Sequence, residues 1–166
     1  MKTRPHGEEP TEQQQENDSA GVPDELNQPV WNLIRLDGIK VLLVEDVPDA
    51  RALIGRILVR SGATVLGAES AQEARNVLSM NRPDVIVSDI AMPDEDGLAF
   101  LRKLRAEHAV TGERIPAIAL TAFTDEMTRR QIFKAGFEMH VGKGSSSEIL
   151  LRAMFDLTAG APPTVH

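Results

Sequence analysis

The sequence predicts an α/β fold with a parallel sheet, and three observations lead there. From Ile39 onward, short β-branched runs alternate with stretches of helical periodicity. The runs are mostly apolar along their whole length, as expected of strands covered on both faces. Turn and cap residues (Pro48, Gly62, Ser70, Pro83, Gly136, Ser145) punctuate the boundaries. The 166 residues suffice for one domain with an appendage, and 42% hydrophobic with 26% charged residues supports a packed core.

Taken in order, residues 1–29 are rich in Glu, Gln, Pro and Asn and hold few large apolar side chains, too little to offset the entropy of ordering. Residues 1–38 are therefore expected to form an acidic, largely disordered tail. They hold three basic residues against eight acidic ones, a net charge of −5, so the remainder carries only −2 of the total −7. Within the tail, the apolar segment at 30–36, Val30 to Leu36 around Trp31, is expected to pack on its own domain.

The first strand is expected at Lys40–Glu45. Ala50, Leu53, Ile54, Ile57 and Leu58 then fall on one helical stripe, with Pro48 suited to the first turn and Gly62 to the C-cap. A second strand at Thr64–Ala68 precedes a helix opened by the capping box of Ser70 and Glu73. Pro83 breaks the chain before the third strand, Val85–Ser88. Asp94, Glu95 and Asp96 read as acids favouring the N-terminus of the next helix. The fourth strand is expected at Ala117–Leu120, with Gly136 closing the helix that follows, and the fifth at Glu138–Val141. Ser145 and Glu148 match a capping box ahead of a last helix with Leu150, Ala153, Met154 and Leu157 on one face and Gly160 at its C-cap. Residues 159–166 then form a short C-terminal tail. The count is five strands and five helices, without an internal repeat.

Composition narrows the function. Zero cysteines exclude disulfides, thiolate metal sites and a cysteine nucleophile. The acidic balance argues against nucleic acid, whose phosphates require a basic surface. No apolar run approaches the ~20 residues of a membrane helix and the N-terminus is polar, so a cytoplasmic protein is expected.

In an open parallel sheet the ligand crevice lies at the carboxyl ends of the strands. The predicted strands end in Glu45-Asp46, Asp89 and Thr121, and Lys143 follows the fifth. Carboxylates gathered at one edge repel one another, and a hard divalent cation such as Mg²⁺ relieves them. An aspartate beside Mg²⁺ can attack a phosphoryl group to give an acyl phosphate, with an ammonium and a hydroxyl sharing the phosphoryl oxygens. Glu45-Asp46 alone would be an ordinary helix N-terminal charge pair, and Lys143 alone a surface cation. Their weight comes from convergence with Asp89.

These residues resemble the receiver domain of two-component response regulators. The resemblance rests on VLLVED at 41–46, VIVSDIAMPDEDG at 85–97, IALTA at 118–122 and AGFEMHVGK at 135–143, and it covers roughly residues 39–158. It implies a flavodoxin-like, three-layer fold of five parallel strands in the order 2-1-3-4-5 with five helices, the receiver domain occupying 39–158. It also implies that Asp89 is the phosphoacceptor and that Mg²⁺ is held by Glu45, Asp46, Asp89 and the backbone carbonyl of Ala91. Thr121 would be the switch hydroxyl, Lys143 the partner of the phosphoryl group, and His140 would stand at the aromatic switch position. By the same resemblance Ala91 and Phe123 occupy positions that in the family flank the path of hydrolytic water, and neither side chain can orient it by hydrogen bonding, so a long-lived acyl phosphate is expected.

Two positions depart from the family pattern: Gly144 follows the lysine where proline is usual, and His140 brings a titratable ring. The expected function is a stand-alone receiver in a phosphorelay, not an enzyme with turnover. A histidine kinase or histidine phosphotransfer protein would supply phosphate, a downstream protein would read the switched surface, and the chain would be a monomer or weak homodimer. The alternatives are a pseudo-receiver that binds without phosphorylation and the receiver module of a hybrid histidine kinase, with Met1 favouring an independent protein. A flavin enzyme is disfavoured because Glu45-Asp46 would repel its phosphate, and a phosphohydrolase because Ala91 stands where a second acid is needed.

Overall fold

The computed structural model describes residues 33–159. Five strands alternate with five helices: β1 Lys40–Val44, α1 Pro48–Arg60, β2 Thr64–Ala68, α2 Ala71–Met80, β3 Val85–Asp89, α3 Gly97–Thr111, β4 Ala117–Thr121, α4 Glu126–Ala135, β5 Met139–Gly142 and α5 Ser147–Thr158. The strands form one parallel sheet in the order β2-β1-β3-β4-β5, with Val41 opposite Val65 and Val85, and Ile118 opposite Val87 and Met139. The flavodoxin-like arrangement expected from the sequence is the one observed.

Two apolar layers hold helices to the sheet. Leu42, Val44, Ile86, Ala117 and Ala119 face α2, α3 and α4 through Ala74, Phe100, Leu101, Leu104 and Ile132. Val41, Leu43, Val85, Val87 and Ile118 face α1 and α5 through Leu58, Leu150, Leu151 and Met154. Alternation along each strand, period two, sends successive side chains into opposite layers. Strands β3 and β4 are buried throughout and β1 is buried beyond Lys40, but β2 and β5 are edge strands and partly open. The expectation of two-sided cover therefore fails at the edges, where one flank has no neighbouring strand.

Most local signals act as read. The Ser70 hydroxyl accepts from the Glu73 N–H at 3.1 Å, and the Glu73 carboxylate accepts from the Glu69 N–H at 2.7 Å. Gly62 follows the α1 C-cap at φ 97°, and a Cβ there would overlap the Asp37 carboxylate. Gly136 caps α4 with a left-handed backbone, while Gly160 lies outside the described residues.

Several expectations need correction. β1 ends at Val44, β3 and β4 extend to Asp89 and Thr121, and β5 shifts forward by one residue. The Ser145 capping box does not form: α5 has Ser146 at its N-cap without a side-chain cap, because the Ser145 N–H is engaged in a turn to the Gly142 carbonyl. Leu53 is 55% exposed although it belongs to the predicted α1 stripe. Ile54, Ile57 and Leu58 alone pack inward, because only one side of α1 meets the sheet. Of the three acids after β3, Asp96 is itself the N-cap of α3, accepting from the Ala99 N–H at 2.7 Å.

At the amino ends of the strands, Arg105 ties three elements together. Its guanidinium donates to the Ile115 carbonyl at 2.7 Å, to the Gly136 carbonyl at 3.0 Å and to the Glu138 carboxylate. Glu138 also accepts from Arg114 and from the Ala117 N–H at 2.7 Å. The His108 ring beside it can only accept from Arg105, and burial, reinforced by the Arg105 charge, pushes its pKa down.

The chain enters the fold ahead of Ile39. Leu36 is 1% exposed in the layer under α1 and α5, and its N–H donates to the Ser61 carbonyl at 2.7 Å, whereas Leu33 is 75% exposed. Leu36→Ala is expected to lower stability by about 2–4 kcal/mol through lost burial and a residual cavity. Leu33→Ala should change stability by less than about 0.5 kcal/mol. Urea unfolding of both variants measures the difference, and similar losses would contradict this account of the packing.

Candidate functional site

Strand order decides where the chemistry collects. β1 and β3 are neighbours in the middle of the sheet, so their carboxyl ends place Glu45, Asp46 and Asp89 side by side. One carboxylate oxygen from each lies within 4.8 Å of the others. Glu45 and Asp89 are almost wholly buried. Lys143, in the loop after β5, reaches across with Nζ 2.8 Å from Asp89 Oδ2 and 2.8 Å from Glu45 Oε2.

Backbone contacts set each side chain. Asp89 Oδ1 accepts from the Ala91 N–H at 3.1 Å, and Glu45 Oε1 accepts from the Val47 N–H at 3.2 Å. Arg51, one turn into α1, donates to the Glu45 carbonyl at 2.7 Å. The Lys143 N–H donates to the Thr121 carbonyl at 2.8 Å, which extends the β4–β5 pairing just far enough to aim the ammonium at Asp89. Gly144 after it has open space around its Cα, and no cis peptide bond occurs among the described residues. A proline is thus not needed to place this lysine.

The electrostatics follow from burial. Burial pushes the Glu45 carboxyl above its ordinary range, with the Asp89 charge acting in the same direction and Lys143 opposing both. Burial also works against the Lys143 ammonium, but its bonds to Asp89 and Glu45 outweigh that and raise its pKa. Asp46 Oδ1 is buried with no hydrogen-bond partner, and Glu45 Oε2 has only the ammonium beside it. Oxygen donors left short of positive charge are the donor set a hard cation such as Mg²⁺ takes.

The remaining predicted residues lie around this centre. Thr121 is buried at the end of β4, and its hydroxyl accepts from the Phe123 N–H at 2.9 Å and donates to the Phe123 carbonyl at 3.0 Å. It is therefore turned into its own loop, without a bond to Asp89. His140 sits on β5, paired with Ala119, its ring edge-on to Phe133 of α4 at 5.7 Å between centroids. Ala91 and Phe123 are exposed beside the site.

The loop after Asp89 contains two devices that local sequence did not disclose. Gly97 packs so tightly that a Cβ would overlap the Asp89 carbonyl oxygen, and its N–H donates to the Ile90 carbonyl at 3.0 Å. Glu95 forms a two-pronged ion pair with Arg75 of α2, at 2.6 and 2.7 Å, and meets Lys103 of α3 at 3.1 Å. Arg75 also lies over the Phe100 ring, 5.6 Å from its centroid. Arg51 and Glu95 were missed as site-supporting residues. Arg51 could have been noticed from its position six residues after Glu45 on a helix starting at Pro48; the partner of Glu95 is set only by tertiary packing.

A family model described as the response regulator receiver domain matches residues 41–155. The chain belongs to this family. Receivers are signalling modules of two-component systems, and Mg²⁺ binding and phosphorylation are general among them. The chain is 36% identical over 123 residues to an uncharacterized 14.6 kDa protein of Leptolyngbya boryana, covering 74% of this receiver chain and 92% of that protein. It is 33% identical over 114 residues to hybrid signal transduction histidine kinase D of Dictyostelium discoideum, covering 65% of this chain but only 7% of the kinase. Among solved structures, the signal receiver domain of a Syntrophus aciditrophicus signal transduction histidine kinase has 29% identity and a TM-score of 0.67, covering 76% of this chain and 94% of that one. Among the described residues no helix is long and apolar enough to cross a membrane.

The Arg75 hydrogen bond, with Lys103 adding to it, holds the Glu95 carboxyl down at about 2, against 4.5 for a free glutamate. A folded value below the unfolded one means that this contribution is full above pH 4.5 and is lost as pH falls toward 2. Glu95→Gln is expected to lower stability by about 1–2 kcal/mol at pH 7, allowing for solvent screening. Urea unfolding of parent and variant should show that gap shrinking by about half or more at pH 3. An equal gap at both pH values would place the contribution elsewhere.

Proposed function

We propose that this receiver is a phosphorylation-dependent switch in a phosphorelay, accepting a phosphoryl group on Asp89 from a histidine kinase or histidine phosphotransfer protein. The observation behind this reading is the Lys143 ammonium held 2.8 Å from Asp89, at the edge of three carboxylates within 4.8 Å of one another. An Asp89 oxygen attacks phosphorus, the donor's phosphorus–nitrogen bond breaks, and its electron pair stays on the donor nitrogen. Lys143 then pairs with a phosphoryl oxygen as a point charge. Glu45, Asp46, Asp89 and the Ala91 carbonyl would hold Mg²⁺, which when bound neutralises charge on the phosphoryl oxygens. The acyl phosphate is released by water, not turned over on a substrate.

The switch is a population shift biased by one local charge. The Thr121 hydroxyl leaves its bonds to Phe123 and turns to the phosphoryl group, and the space it vacates allows the His140 ring to move against Phe133. The downstream partner would read α4, β5 and α5, where Met127, Phe133 and Phe155 are exposed. The receiver unit spans residues 39–158 with Ile34 and Leu36 packed against it, acting in the cytoplasm as a monomer or weak homodimer. A second reading, a receiver module within a hybrid histidine kinase, is supported by the likeness to kinase receivers in Dictyostelium discoideum and Syntrophus aciditrophicus.

Incubation with acetyl phosphate should add one phosphoryl group by intact-protein mass only when Mg²⁺ is present, and Asp89→Asn should abolish it while leaving the fold unchanged. Phosphorylation persisting in that variant would refute the acceptor. No gain in the parent, with Mg²⁺ binding also absent, would favour a pseudo-receiver. The acyl phosphate should be long-lived, and Ala91→Asn, which supplies an amide able to orient water, should shorten its lifetime by about tenfold. Rapid decay unaffected by that substitution would overturn the kinetic part.

A further inference from the structure

Between α2 and α3, at the amino edge of the sheet and so opposite the carboxylate cluster, lies an open cavity of about 640 Å³. Lys40 at the start of β1, Arg82 ahead of β3 and Ile115 ahead of β4 mark that edge. The volume is in the range of small-molecule sites, which combine an apolar lining with a few placed polar groups. Here Leu78, Leu104 and Ile115 supply apolar wall, and Met80, the exposed last residue of α2, adds an unbranched thioether that adapts to the shape of what lies against it.

One buried polar group on the wall is only half used. His108 lines the cavity, is 9% exposed, and has its Nδ1 3.1 Å from Arg105 Nη1. A guanidinium only donates, so Nδ1 accepts and the proton of the neutral ring is carried on Nε2. Among the described residues that N–H has no acceptor. A buried donor without an acceptor is unfavourable, and a ligand that brings one removes the penalty.

The distribution of charge favours an anionic acceptor. Lys40 and Arg75 are half-buried in the lining, Arg75 in its pair with Glu95, whereas the acids of the lining stand nearer to water, Glu107 exposed and Glu113 partly so. Arg82 and Glu113 pair with each other through side chains open to solvent, so water can replace Glu113 when another anion reaches Arg82. We propose that this cavity binds a small amphipathic carboxylate, its apolar body against Leu78, Leu104 and Ile115, its carboxylate accepting from the His108 Nε2–H and its charge offset by Lys40 and Arg82. The cavity and Asp89 are at opposite edges of the sheet, and the proposal does not depend on phosphorylation.

The probe is 2-naphthoate, titrated into the ¹⁵N-labelled full chain without a phosphoryl donor and followed by amide chemical shifts. The shifts should saturate with a dissociation constant below about 1 mM and centre on residues 78–82 and 104–115. 2-Naphthalenemethanol, the same apolar body without the charge, should bind about fivefold more weakly. His108→Phe, which keeps a ring and loses the donor, should weaken 2-naphthoate by about fivefold, and the exposed change Arg82→Glu by about threefold. The comparison of acid with alcohol uses the unaltered protein, so the result does not rest on the folding of a variant. Absence of saturable shifts at millimolar probe would overturn the proposal. So would equal binding of acid and alcohol, affinity unchanged in both variants, or shifts centred on exposed Met127 and Phe155, which would make the interaction non-specific adhesion to apolar surface.

Discussion

The ammonium of Lys143, 2.8 Å from both Asp89 Oδ2 and Glu45 Oε2, offsets a carboxylate cluster that burial alone would drive toward protonation. Burying like charges at the end of a hydrophobic sheet is unfavourable unless a counter-charge is brought to them. Parallel topology supplies it, because β1 and β3 deliver the acids and β5 returns the chain to the same edge with the lysine. Supporting contacts are short and mostly from the backbone: the Val47 and Ala91 N–H groups, the Glu45 carbonyl held by Arg51 and the Thr121 carbonyl held by the Lys143 N–H. The site is thus preorganised, yet the Asp46 carboxylate keeps an unsatisfied oxygen. That unmet demand sits at the same edge as the acceptor, where a cation would serve both.

Around this centre the loops differ in how firmly they are held. The β3–α3 loop is closed by Gly97 lying on the Asp89 carbonyl and by Glu95 bridging α2 and α3. The β4–α4 loop is held near the site by the Thr121 hydroxyl, bonded at both ends to Phe123. A hydroxyl in that arrangement can exchange its partners without breaking any strand pairing. Rigidity therefore lies on the acceptor side and adaptability on the side of Thr121 and α4.

Much of this was legible in the sequence, for identifiable reasons. Strands such as Val85–Asp89 and Ala117–Thr121 are apolar because helices cover both sheet faces, so composition reveals them directly. Ser70 and Glu73 announce a helix start through local hydrogen bonding alone. The convergence of Glu45, Asp46, Asp89 and Lys143 was readable because their spacing places each at a strand's carboxyl end. What escaped depends on partners distant in sequence or on competition between neighbours. Arg75 lies twenty residues from Glu95, and Ser145 is drawn into a turn, leaving Ser146 at the N-cap. Leu53 matches a helical stripe by spacing, but α1 packs on the sheet over a narrower arc than the stripe spans.

The Arg105 cluster gives α4 unequal ends. Its C-terminal cap is held by the guanidinium that bonds the Gly136 carbonyl, while α3 and Glu138 fix that guanidinium in turn. The N-terminal end is held by the Asp125 cap to Thr128 and otherwise begins in exposed residues next to the Thr121 loop. A helix clamped at one end and loosely attached at the other behaves as a lever with its fulcrum at Gly136. Any tilt of α4 about that point would move Met127, nine residues from Gly136, several times further than Phe133, three residues from it.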